Sequence, residues 1–125
     1  MKVHDHKGLA VWQSAMELVV LVYKLAARLP NDERFALGNQ MHRAAVSVPA
    51  NIAEGNARVH RGEYVHHLSI ARGSLSELDT LLTIAESLGY LAAEDLVAAT
   101  ELIDRIRRML HRLLSALRTP STARN

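Results

Sequence analysis

Glu63 and His66 stand three residues apart in "EYVH", a spacing that sets a carboxylate and an imidazole on one face of a helix. Di-iron bundles aim two such Glu-x-x-His pairs inward and add a glutamate from each of two further helices. This chain has one copy, beside the turn signal "GNARVHRGE". A first-turn glutamate and a surface histidine are expected here, not a metal centre. His66-His67 and His4-x-His6 also offer imidazoles. Adjacent helical residues point in different directions, which is poor geometry for sharing an ion.

Ser69, Ser74 and Ser76 lie near the histidine pair. A serine nucleophile needs a base in hydrogen-bond reach and a third group to orient that base, and no third member falls in helical register. Gly73-Ser74 is expected instead to let the third helix cross closely over small residues of the second. Gly55 and Gly62 flank a turn that lacks the lysine and hydroxyl of a phosphate loop. With no cysteine, disulfides, thiolate zinc sites and thiol catalysis are excluded together. No catalytic residue, cofactor or metal is expected, and the chain reads as a non-enzyme.

Charge is the chemistry that remains. Residues 75–104 hold seven acids (Glu77, Asp79, Glu86, Glu94, Asp95, Glu101, Asp104) and no lysine or arginine, while residues 105–125 hold six arginines and no acid. Arg105, Arg108 and Arg112 fall at spacings of three and four, on one stripe, with Arg107 alongside and Arg118 further on. Arg58 and Arg61 sit in the turn between the second and third helices. These seven arginines are the candidate nucleic-acid-binding residues. A helix macrodipole favours acids at its start and cations at its end. It does not account for Glu86 near the end of the third helix, nor for arginines two turns or more inside the fourth. Binding to a phosphate backbone through such a stripe would be electrostatic, indifferent to sequence and steeply salt-dependent. No aromatic residue interleaves with the arginines, so stacking readout of bases is not expected.

The elements that must carry these residues are helices. Turn signals fall at "LPNDER", "GNARVHRGE" and "LGYLAAED". Between them, Tyr64, Leu68, Ala71, Leu75, Leu78, Leu82 and Ala85 keep helical spacing, as do Leu96, Ala99, Ile103, Ile106, Leu110, Leu113 and Leu117. Leu102 and Met109 widen the last stripe. Gly89 suits a helix stop, and Glu94 or Asp95 a helix start. In "RAAVSVPANIAEGNAR" the period Leu37, Met41, Ala44, Val48, Ile52, Gly55 runs straight through Pro49, predicting one kinked helix, not a catalytic loop. The first helix leaves only a thin polar line through Gln13, Glu17, Lys24 and Arg28, which predicts burial on two sides, by the core and by a neighbouring subunit.

Short connections between long helices predict an all-α, antiparallel, up-down-up-down, left-handed four-helix bundle over residues 9–117, after an extension at 1–8 and before a flexible tail at 118–125. In that arrangement residues 1–16, 50–74 and 105–125 share one half carrying +8, and the rest carries −6, which returns the net charge of +2. Six of the seven histidines, all but His42, fall on the basic half.

The totals agree. The 125 residues suit one domain, and half are hydrophobic while only five are aromatic. No apolar run reaches membrane-spanning length and no signal peptide is recognised, so a cytoplasmic protein is expected. The amphipathic, basic fourth helix has a seam too narrow and regular for a membrane-surface role, being better suited to helix partners.

The segments "VWQSAMELVVLVYKLAARLP", "QMHRAAVSVPANIAEGNAR", "EYVHHLSIARGSLSELDTLL" and "AESLGYL" resemble the bacterial four-helix-bundle family first noticed as proteins encoded in intervening sequences of 23S ribosomal RNA genes. The resemblance covers roughly residues 8–117, and Asn51–Gly55 and Ala71–Ser74 are its most specific parts. It implies homopentameric, barrel-shaped rings. It also implies a fold similar to the accessory variability determinant of diversity-generating retroelements, which works with a reverse transcriptase and binds nucleic acid. No enzymatic activity attaches to the family, so no catalytic residue carries over. A ring would repeat the arginine stripe at one pole and form a basic collar. Two functions follow as expectations: an oligomer meeting RNA, DNA or a nucleic-acid-processing protein at its basic end, or a scaffold binding a protein partner through its bundle faces.

Overall fold

The computed structural model describes residues 5–118. They form α1 (Ala10–Ala26), α2 (Leu37–Asn56), α3 (Arg61–Ser87) and α4 (Val97–Arg118), with 3₁₀ turns at His6–Gly8, Asn31–Glu33 and Ala93–Leu96 and no strand among the described residues. Arg118, expected to open the tail, is instead the last residue of α4, where half-buried Leu117 holds the final turn against the core. The rest of the predicted tail, and His4, lie outside the described residues.

Hydrophobic period explains which face each helix buries. On α2, Leu37, Met41, Ala44, Val48, Ile52 and Gly55 are all buried, and the helix continues through a buried Pro49, as its periodicity requires. On α3 the predicted stripe is buried from Leu68 to Ala85, while Tyr64 is half-buried. On α4 the stripe runs Ala99, Ile103, Ile106, Leu110 and then Leu114, with Leu113 and Leu117 half-buried to either side. An ideal helix drifts about 20° per heptad against a strict 3.5-residue seam. A second step of four, from Leu110 to Leu114, returns the stripe to the core.

Polar contacts fix how the helices lie. Ser74 Oγ donates to Ser47 Oγ at 2.8 Å, and His67 Nδ1 meets Asn51 Oδ1 at 3.0 Å. Residue numbers thus rise along α2 as they fall along α3, so this pair is antiparallel. Asn51 Nδ2 also donates to the Ser47 carbonyl at 2.9 Å and to Ser47 Oγ at 3.0 Å, closing a chain His67–Asn51–Ser47–Ser74 across the seam. Tyr64 donates to Asn56 Oδ1 at 3.4 Å, and burial pushes its phenol above the usual range. The close approach comes from Gly55, where a Cβ would stand 2.9 Å from Tyr64 Cδ1 and 3.0 Å from His67 Cβ. Gly73 does not make it. That glycine is exposed with nothing within 4 Å of its missing Cβ, because it sits one position outside the buried Ser74.

The end away from that approach is latched by different chemistry. Gly89, at φ +77°, ends α3; its N–H bonds the Glu86 carbonyl at 3.0 Å and the Tyr90 N–H bonds that of Ala85 at 2.9 Å. Tyr90 donates its hydroxyl to Glu33 Oε2 at 2.9 Å, and this bond, with burial and the neighbouring charges of Glu33 and Asp32, raises the phenol's pKa. Asp95 accepts the Ala92 N–H at 2.8 Å and holds Arg28 at 3.0 Å, and those two contacts keep its carboxyl below the usual range.

A depressed pKa stabilises the fold above the ordinary aspartate value, and the contribution is lost as pH falls through the folded one. Asp95→Asn is therefore expected to lower the thermal midpoint by a few degrees at neutral pH. The gap from the wild type should close below about pH 4. Melting curves across pH check this; a gap of constant size would remove the carboxylate's charge from the explanation.

Candidate nucleic-acid interface

The α4 arginines divide by what their guanidinium groups already hold. Arg107 is half-buried and donates to Asp104 Oδ1 at 3.2 Å, with Asp79 Oδ2 of α3 at 3.9 Å. It is the stripe's neutralised member. Arg105, Arg108 and Arg112 are exposed and make no ion pair among the described residues. Arg118, also exposed, donates to Ser69 Oγ at 3.4 Å. That contact and the Arg107–Asp79 pair lay α4 antiparallel to α3, so the arginine-rich half of α4 lies along the first half of α3.

Arg58 and Arg61 flank the α2–α3 turn. Arg58, just beyond α2, is tied to Glu54 one turn back, the i,i+4 pair its spacing predicts. Arg61 opens α3, exposed and without an ion pair among the described residues. Neither lines the hollow that the α4 arginines border.

One open hollow of about 530 Å³ lies between α3 and α4, lined by Arg72, Arg107, Arg108, His111 and Arg112. The arginines form its walls chiefly with their methylene stems. The structure thus joins Arg107, Arg108 and Arg112 of the predicted set and leaves Arg58, Arg61, Arg105 and Arg118 outside. It adds Arg72 and His111. Arg72 stands apart in the sequence, with no lysine or arginine nearer than Arg61. The signal that finds it is the antiparallel pairing of α3 with α4, which sets residue 69 beside 118 and 79 beside 107. His111 could have been added to the arginine stripe from its place between Arg108 and Arg112.

The next hollow along the same α3–α4 groove has the opposite character, with Asp79, Glu86 and Glu101 among its lining residues. The charge split read along the sequence is therefore a split along one groove, and Arg107, bound to Asp79 and Asp104, marks the boundary.

The other residues weighed for chemistry lie apart. Glu63 and His66 are exposed in the first two turns of α3. His67 stacks edge-on to His66 at 5.7 Å and spends its Nδ1 on Asn51. Ser74 is buried and bonded to Ser47. Among the described residues no three His, Cys, Asp or Glu side chains gather as a metal site, and no helix is long and apolar enough to cross a membrane.

These features define an all-helical protein of four packed helices whose outer charge is sorted along its length. The chain belongs to the 23S rRNA-intervening sequence protein family, whose model matches residues 7–112. It is similar in fold to a protein of unknown function from the S23 ribosomal protein family of Bacteroides thetaiotaomicron. That crystal structure is 23% identical, with a TM-score of 0.77 over 88% of this chain and 100% of the other. No curated protein matches the chain.

Proposed function

We propose that this protein is a non-enzymatic, oligomeric helical bundle that binds the backbone of RNA or DNA through its basic half. The observation that carries this reading is the stripe of Arg105, Arg108 and Arg112, three exposed guanidinium groups without carboxylate partners among the described residues. Arg107, Arg58 and Arg28 each hold a carboxylate, whereas Arg105 and Arg108, one turn on from Glu101 and Asp104, do not. A row left free offers charge-assisted bonds to phosphates.

The bundle is proposed to run up-down-up-down with a left-handed twist, consistent with the antiparallel contacts of α2 with α3 and of α3 with α4. Self-association, as a ring of five in a cytoplasmic setting, is part of the same proposal. Its support is the face of α1 that the chain does not cover: Met16, Val20 and Tyr23 fall on one stripe and are 38%, 53% and 45% exposed, with Val46 of α2 nearby at 42%. Light scattering on the native particle tests the ring, and a monomer would remove the collar.

A fluorescence-anisotropy titration of mixed-sequence single strands across a salt series tests the backbone reading. Each neutralised phosphate contributes about 0.7 to the log–log salt slope, so the three free arginines engaged per site give a slope of about −2. No binding at low salt, or binding indifferent to salt, would overturn it. The uncovered α1–α2 face favours one alternative, a scaffold whose partner is a protein. Partners that survive nuclease treatment in a pull-down would support that reading over the first.

A further inference from the structure

We infer that the hollow between α3 and α4 is a site for a terminal phosphate group, at the end of a nucleic-acid strand or on a small molecule. This rests on reading the basic half as a phosphate-binding surface, and names a place and a chemical group within it. Arg72, Arg108 and Arg112 line the hollow from two helices, chiefly with their methylene stems, and their guanidinium groups make no ion pair among the described residues. An internal phosphodiester brings one negative charge and two substituents. A phosphomonoester carries about −1.5 to −2 at neutral pH and three free oxygens, which can engage unpaired arginines reaching it from two helices.

The groove's ends make the same choice. On its acidic side the hollow stops at Arg107, whose guanidinium is already held by Asp104 and Asp79. Beyond that, Asp79, Glu86 and Glu101 line the next hollow, which repels a phosphate backbone. A strand entering from the basic end therefore meets a dead end, and a chain terminus fits where a continuing backbone does not. The volume of about 530 Å³ lies within the usual range for small-ligand pockets, enough for a phosphate and the group that bears it.

The test compares one labelled single strand carrying a phosphate at its 5′ end, at its 3′ end, or at neither, titrated at fixed ionic strength. A phosphorylated end is expected to bind about tenfold tighter than the bare strand, the effect of one added charge-assisted contact. Inorganic pyrophosphate should erase that preference before it displaces the strand. Arg72→Gln should abolish the preference while leaving the α4 stripe intact. Arg112→Gln, at an exposed position, should abolish it too while weakening every strand, and Arg61→Gln should weaken all three strands equally. Calorimetry with pyrophosphate and a nucleoside monophosphate separates the sources. If these bind and no strand does, the site stands with a small-molecule ligand and the backbone reading falls. If strands bind equally well with and without phosphate ends, and neither small anion binds, this inference is overturned while the backbone reading stands.

Discussion

Gly55→Ala is expected to lower the thermal midpoint and Gly73→Ala to raise it, although both glycines lie inside helices. Helix propensity alone favours alanine at either place by about 0.5–1 kcal/mol. At Gly73 nothing stands within 4 Å of the added methyl, so that gain is realised. At Gly55 the methyl would meet Tyr64 Cδ1 at 2.9 Å, His67 Cβ at 3.0 Å and the Tyr64 carbonyl oxygen at 3.3 Å. The first neighbour is a ring packed against the core, and the last two belong to α3's backbone or its first side-chain carbon, so rotating a flexible tip cannot relieve the contact. Overpacking of this kind costs about 1–3 kcal/mol and outweighs the propensity gain. The expected net loss for alanine is about 0.5–2 kcal/mol, and larger for valine, which adds β-branching at the same contact. At this chain length each kcal/mol moves the midpoint by about 3–6 °C. Two alanine variants that both gain stability would show that α2 and α3 do not approach each other at Gly55.

That pair of glycines shows where sequence reading reaches and where it stops. Periodicity is local, so it located four helices, the continuity of α2 through Pro49 and nearly all inward positions. The exceptions depend on the partner helix. Leu114 rather than Leu113 points inward because the accumulated drift of α4 is judged against the core, not against a written heptad. Gly73 sits beside the polar residue that does cross the seam, and only the rotation of α3 shows that Ser74 faces Ser47 while Gly73 faces solvent. The same limit governs the candidate interface. Composition shows that residues 105–125 are basic, but not that Arg107 is spent on Asp79, twenty-eight positions earlier, or that Arg72 joins Arg108 and Arg112 across a groove. Charge class is legible along a chain. Charge availability is a property of packing.

The distinction between available and spent charge leads to the largest effect expected on binding. Arg105→Glu/Arg108→Glu/Arg112→Glu is expected to weaken single-strand binding at least about a hundredfold near 50 mM salt and to flatten the salt slope by about 2. Losing three phosphate contacts gives the change in slope, and reversed charges add repulsion that is strongest at low salt, where screening reaches only a little over 10 Å. The three glutamates also repel their i,i+4 neighbours Glu101 and Asp104, and one another along α4, by about 0.2–0.5 kcal/mol per pair. The matching triple glutamine variant separates that cost from binding; it should keep the flattened slope and lose less affinity. Arg107→Gln supplies the opposite contrast. Its guanidinium already answers two carboxylates, so binding should change by less than about threefold. Should the triple glutamate variant bind as the wild type does, the free arginines are an ordinary solvated face. If Arg107→Gln instead proves as damaging as the triple, the nucleic acid must displace Asp79 and Asp104, and the boundary in the α3–α4 groove is where it binds.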